Sequence, residues 1–136
     1  MNNVIMISAV TLAIKNMKKS CSFYTSIPGF QIIYGGSSND SFTSYQIGKD
    51  NKVTFLNLEL KKFSDANKLY ENHRTNFGRI IFYTDSVDNL YAYFSTNKFI
   101  SNLILIEFEP INAPWKERYF HIRDPDGYQL SFAQPI

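Results

Sequence analysis

The sequence predicts an α+β protein built from two βαβββ modules, whose strands form a curved mixed β-sheet. Three observations carry this. A short β-branched run followed by a helical stripe occurs near the N-terminus and again after residue 78, each time with strand-like stretches behind it. The two strand-helix joins, LAIKNMKKSCSFY and IFYTDSVDNLYAYF, can be laid side by side with one residue inserted. Residues 61–77 between them are polar and lack a clean period, which suits a linker with a short helix. The expected organisation is one domain over 1–136: module one at about 4–60, the linker, and module two at about 78–136. A βαβββ unit covers one face of its sheet with a helix and needs a second unit for the other. Two such sheets would curve around a shared cavity.

Taken in order, Ile7 to Ile14 is short, apolar and β-branched, as a buried strand is. Met17, Cys21 and Tyr24 then fall at helical spacing with Ser20 filling the stripe, and Asn16 is placed to cap them. Pro28-Gly29 ends that helix. Strands are expected at Phe30–Tyr34, Phe42–Ile47 and Val53–Leu60, separated by Gly35-Gly36 and by the Gly48–Asn51 turn. In the second half Arg79–Thr84 reads as a strand and Asp85 as a helix cap. Val87, Leu90, Tyr91 and Phe94 follow at i, i+3, i+4 and i+7, one apolar helix face. Leu103–Phe108, Arg118–Arg123 and Tyr128–Ala133 complete the set.

The last two strands meet at DPDG, residues 124–127. Pro125 presets φ and Gly127 accepts a positive φ, so this is a hairpin corner and not a site in itself. A three-residue loop pairs Asp124 with Tyr128, which sets Ile122 opposite Leu130 and Phe120 opposite Phe132 on one apolar face. The other face carries Tyr119 with Ala133, His121 with Ser131 and Arg123 with Gln129. A slip of one residue would mix the faces. Elsewhere the same alternation makes Val10, Leu12, Ile14, Leu56, Leu58, Leu60, Ile80 and Phe82 core. It turns Ala9, Thr11, Ala13, Phe55, Asn57, Glu59, Arg79, Ile81 and Tyr83 toward the cavity.

Composition narrows the partners. Fourteen basic and 12 acidic residues leave a net charge of +2, with no basic run to track phosphates, so nucleic acid is not expected. Cys21, the single cysteine, fits a reducing compartment. The apolar stretch from Val4 lacks a basic leader and is too short to cross a bilayer. A soluble, cytoplasmic protein with no membrane partner is expected. Twelve Phe and nine Tyr supply both core and aromatic cavity lining.

AIKNMKKSCSFYTSIPGF (13–30) and FHIRDPDGYQLSFAQP (120–135), with Pro114-Trp115 ahead of Arg118-Tyr119-Phe120, resemble the vicinal oxygen chelate superfamily. That superfamily includes glyoxalase I, extradiol dioxygenases and the bleomycin and fosfomycin resistance proteins. The resemblance implies the glyoxalase/bleomycin resistance-like fold over nearly the whole chain, and a homodimer. Metal enzymes of the superfamily place His or Glu on four strands; the corresponding positions here are Ala9, a position near Asn57 with Glu59 two residues on, Arg79 and Ser131. Ala cannot ligate, Arg is a permanent cation, and Ser is a poor ligand without carboxylate neighbours. No cofactor is therefore expected, a divalent metal held by His121 with Glu59 or Glu107 being the alternative.

The expected ligand-binding set is Arg79, Asn57, Glu59, Phe55, Tyr83, Glu107, Trp115, Tyr119 and Ser131, the make-up of a small-molecule pocket. His121 is the candidate general base. Each has a plainer reading. Arg79 could pair with Glu59 or Glu107, His121 could bond within a core, Trp115 could be a lid or a packing residue, and Cys21 is a buried small hydrophobe. His73 falls in the linker, where solvation is the simplest reading. Two functions follow: a metal-independent small-molecule-binding protein, as in the bleomycin resistance branch, or a lyase, isomerase or dioxygenase-type enzyme. A ligand-sensing module without turnover is a third.

Overall fold

The computed structural model describes residues 2–61 and 77–136. The expected linker helix and His73 lie outside these residues. The chain divides into two compact units, Met1–Lys62 and Phe63–Ile136.

In the first unit, β1 (Ala9–Ile14), α1 (Met17–Tyr24), β2 (Phe30–Tyr34), β3 (Phe42–Ile47) and β4 (Thr54–Leu60) form a sheet in the order β1-β4-β3-β2. β1 runs parallel to β4, and the other pairs are antiparallel. β1 starts two residues later than expected, because its partner β4 begins only at Thr54 and the last bond toward the N-terminus is Phe55 N–H to the Ser8 carbonyl, 3.0 Å. Val4 to Ile7, with no strand beside them, are exposed. The Asn16 side chain accepts from Lys19 N–H at 3.0 Å and caps α1 as the sequence implies. The helix buries Met17, Ser20, Cys21, Phe23 and Tyr24, and the sheet buries Leu12, Ile14, Tyr45, Leu56 and Leu58. Leu60 departs from the expected core: it is the last residue of β4 and stays 37% exposed where the strand runs out.

The second unit contains β5 (Arg79–Tyr83), α2 (Val87–Thr96), α3 (Lys98–Ser101), β6 (Leu105–Ile106), β7 (Ile111–Ala113), β8 (Glu117–Arg123) and β9 (Gln129–Pro135). Its sheet order is β5-β9-β8-β6, with β7 also paired to β8 and β5 parallel to β9. The main path β5-β9-β8-β6 repeats β1-β4-β3-β2, so the repeat visible as a pattern is a repeat of topology. Two local expectations fail. Ser86, not Asp85, caps α2: the Ser86 hydroxyl oxygen accepts from Asn89 N–H at 3.2 Å, the three-residue reach a cap needs. The strand expected at 103–108 is only Leu105–Ile106, prolonged by one bond from Glu107 N–H to the His121 carbonyl, 3.0 Å. Pro110 has no N–H to continue the ladder. Pairing resumes at β7, while Asn97, accepting from Phe99 and Ile100 N–H, starts the unforeseen α3.

The core of this unit is aromatic. Phe132 lies 5.4 Å from Phe82 and 5.5 Å from both Phe94 and Phe120, between ring centroids. Val87, Leu90, Ile100, Ile122 and Leu130 fill in around them. Burying each such side chain stabilises the unit by roughly 1.5–3 kcal/mol. The hairpin register is the expected one, with His121 opposite Ser131 and Phe120 opposite Phe132. Its corner is held by Asp124, whose Oδ1 accepts from Asp126 and Tyr128 N–H, both at 2.9 Å. Among the described residues no helix is long and apolar enough to cross a membrane.

Candidate functional site on the helix-free sheet faces

The face of the second sheet opposite its helices carries three cross-strand rows. The first contains Arg79, Gln129 and Arg123, paired in register. Arg79 Nε donates to Gln129 Oε1 at 2.9 Å, and Gln129 Nε2 donates to Glu107 Oε1 at 2.8 Å. Glu107 Oε2 lies 3.4 Å from Arg123 Nε. The ion pair considered for Arg79 is thus taken by Arg123 on the Glu107 side. Glu59, in the other unit, pairs with Lys61 at 3.1 Å. Among the described residues Arg79 has no carboxylate partner.

The second row is Ile81, Ser131 and His121. Phe108 packs against the imidazole with ring centroids 4.9 Å apart. The ring nitrogens of His121 make no hydrogen bond to a described residue. Burial, reinforced by the cation of Arg79 and more weakly by Arg123, and opposed by Glu107, holds His121 below its ordinary value near 6.5. The imidazole is therefore neutral at pH 7. Ser131 is 3% exposed, and its hydroxyl likewise bonds no described residue.

The third row is Tyr83, Ala133 and Tyr119. Trp115 lies over Tyr119, centroids 6.1 Å apart and planes 25° from parallel, and remains 64% exposed. Glu117 accepts from Trp115 Nε1 at 2.9 Å and from the Tyr83 hydroxyl. That carboxylate raises the Tyr83 phenol above its usual range.

The first unit presents the equivalent positions with other chemistry. Thr11, Asn57 and Ser44 occupy the places that Ile81, Ser131 and His121 hold in the second. Ser44 Oγ donates to Asn57 Oδ1 at 2.6 Å, and Asn57 Nδ2 donates to Thr11 Oγ1 at 3.2 Å. This closed polar row leaves the Asn57 amide committed. Phe55 is half-buried beside it, paired with Ala9 and Gln46. The predicted set therefore divides: Arg79, Tyr83, Glu107, Trp115, Tyr119, His121 and Ser131 share one face of unit two, and Phe55, Asn57 and Glu59 lie in unit one. Sequence reasoning missed Phe108, Gln129 and Arg123 as members. Gln129 and Arg123 were already aligned on this face by the hairpin register. Phe108 gave no signal, because it lies past the break in β6.

A groove of about 380 Å³ lies elsewhere in unit one, lined by Lys18, Cys21, Ser22, Thr25 and Ile32 among others. It is on the helix side of that unit's sheet, lined largely by α1. Cys21 is buried there, with its Sγ 3.6 Å from Thr43 Oγ1. Burial raises the neighbouring Tyr45 phenol, whose hydroxyl pairs with Thr25 Oγ1 at 2.9 Å.

The positions at which relatives would carry metal ligands do not fit a divalent cation. Ala9 has no donor atom, Asn57 is engaged, Arg79 would repel the ion, and Ser131 has no carboxylate beside it. Among the described residues no three His, Cys, Asp or Glu side chains come close enough to hold one.

Comparison with known proteins agrees with the topology. The family model of the Glyoxalase/Bleomycin resistance protein/Dioxygenase superfamily matches residues 6–132. A hypothetical protein from S. aureus, SA1046, is 20% identical, with 96% of each chain covered and a TM-score of 0.62. A glyoxalase/bleomycin resistance protein/dioxygenase family enzyme from Burkholderia phytofirmans PsJN is 16% identical, covering 95% of this chain and 98% of its own, with a TM-score of 0.65. TioX from Micromonospora sp. ML1 is 14% identical, covering 96% and 99%, with a TM-score of 0.62. No curated protein matches. Identities this low speak for the fold alone, but the family model spans nearly the whole chain, and this protein belongs to the glyoxalase/bleomycin resistance protein/dioxygenase superfamily.

Proposed function

We propose that this chain is a metal-independent small-molecule-binding protein whose binding surface is the helix-free face of unit two. The observation that carries the reading is the grouping on one face of a guanidinium whose terminal nitrogens bond no described residue, a neutral imidazole, a buried hydroxyl without a described partner and an exposed stacked tryptophan. Such a mix, mostly aromatic with a few convergent polar groups, is how small-molecule sites are built. Arg79 and His121 orient the ligand, while Trp115, Tyr119 and Phe108 supply contact area. Sequestration of a ligand without turnover is the corresponding role. The test is a thermal-shift screen against metabolites and glycopeptide antibiotics. A hit is expected to lose its shift in Arg79→Ala and His121→Ala; hits that both variants bind unchanged would remove the two residues from the site.

A second reading is a metal-free isomerase or lyase with His121 as general base. The neutral imidazole, whose ring nitrogens bond no described residue, favours it, since a base must carry a free lone pair at working pH. Product formation from a screened ligand, abolished by His121→Gln with binding retained, would establish it. We further propose a cytoplasmic homodimer, supported by the single buried Cys21 and by the exposed apolar residues Val4 to Ile7. Sedimentation should give twice the 15.8 kDa chain mass; a monomer at micromolar concentration would refute the dimer.

A further inference from the structure

We infer that the ligand of this face is an elongated aromatic anion, bound in one orientation with its charged end at Arg79 and its ring system against Trp115 and Tyr119. The inference rests on the small-molecule-binding reading above and specifies its ligand class.

The face is electrically polarised along the strands. At the Arg79 end two guanidinium groups, Arg79 and Arg123, face one carboxylate, Glu107. That carboxylate is already engaged by Arg123 at 3.4 Å and by Gln129 Nε2 at 2.8 Å. Arg79 spends its Nε on Gln129, and its two terminal nitrogens bond no described residue. A planar fork of this kind holds an oxyanion through two parallel hydrogen bonds. At the other end stands Glu117, whose two donors, Trp115 Nε1 and the Tyr83 hydroxyl, are both neutral. No cation among the described residues pairs with Glu117. Arg123 and Glu117 are six residues apart on β8, so the backbone positions of the two poles are separated by roughly 20 Å. An anion is attracted to one pole and repelled by the other, which fixes its direction.

Between the poles the surface is built for flat apolar contact. Phe108, Tyr119 and His121 lie ring against ring at 4.9 to 5.7 Å, and Trp115 extends the series. Aromatic rings packed this way present faces and edges that favour another aromatic over an aliphatic chain. Midway lies the Ser131 hydroxyl, 3% exposed and bonded to no described residue. The neutral His121 adds no charge there, so the anion is drawn to the Arg79 end.

Trp115 is the chain's one tryptophan, so its fluorescence reads occupancy of the site directly. The probes are biphenyl-4-carboxylate and its uncharged isostere biphenyl-4-carboxamide, titrated into the intact protein. Both should quench Trp115 saturably, the carboxylate binding roughly tenfold tighter or more, as a charge-assisted hydrogen bond implies. Arg79→Gln, a change at an exposed site, should weaken the carboxylate far more than the carboxamide, so that the two affinities converge. Equal affinities that Arg79→Gln does not alter would overturn the anion assignment and leave the small-molecule reading standing. Failure of both probes, while another compound binds with dependence on Arg79 and His121, would overturn the aromatic class alone. Absence of any binding across probes and screen would overturn both.

Discussion

His121 concentrates the chemistry of the face, because three influences act on one ring. Burial and the nearby Arg79 and Arg123 cations disfavour the imidazolium, and Glu107 only partly offsets them. Ring-proton NMR should therefore give a midpoint below 6.5, and Arg79→Gln should raise it; a midpoint above 6.5 would contradict the arrangement. The sign carries over to stability. Between the folded midpoint and about 6.5 the unfolded chain takes up a proton that the folded chain declines. The contribution is complete above about 6.5 and is lost as pH falls through the folded midpoint. Thermal midpoints should fall over that window, and less so in His121→Gln. That His121 would stand beside Ser131 was legible in the sequence, since the DPDG corner dictates the register. That Glu107 would choose Arg123 over Arg79 was not, because the choice depends on where the two-residue strand β6 pairs along β8.

The β8–β9 hairpin is the element on which the site hangs, and Asp124 is its fastener. Its Oδ1 closes the loop by accepting from Asp126 and Tyr128 N–H, and the residue is 4% exposed. Asp124→Ala should cost about 1–3 kcal/mol in urea denaturation, the penalty for leaving buried donors unmet. It should also weaken ligand binding, because the rows on either side of the corner lose their register. Unchanged stability would mean that the Pro125-Asp126-Gly127 backbone sets the turn unaided. Beneath the face, Phe132 is 1% exposed among three other phenylalanines, and Phe132→Ala should cost about 3–5 kcal/mol. Strongly patterned elements such as α1, β3 and β8 could be read from the chain because alternation and capping agree there. The stretch from Asn97 to Ala113 could not. Pro110 breaks a strand, Asn97 starts a one-turn helix, and each resulting piece is too short to show a period.

At the scale of the molecule, one topology is used twice and its two helix-free faces have diverged. Unit one closes its polar row internally through Ser44, Asn57 and Thr11, whereas among the described residues of unit two the Arg79 terminal nitrogens, His121 and Ser131 find no side-chain partner. The repeat was legible as pattern even though the two halves share little sequence, because strand and helix periods survive substitution. The ligand was not, because a fold does not specify its chemistry. The central claim is that unit two binds its ligand without a metal. The direct test measures metal content and biphenyl-4-carboxylate affinity on one preparation, before and after exhaustive chelation. Substoichiometric metal and an unchanged affinity are predicted. Stoichiometric Ni, Zn, Fe or Mn that is lost in His121→Ala, and whose removal abolishes binding, would contradict it.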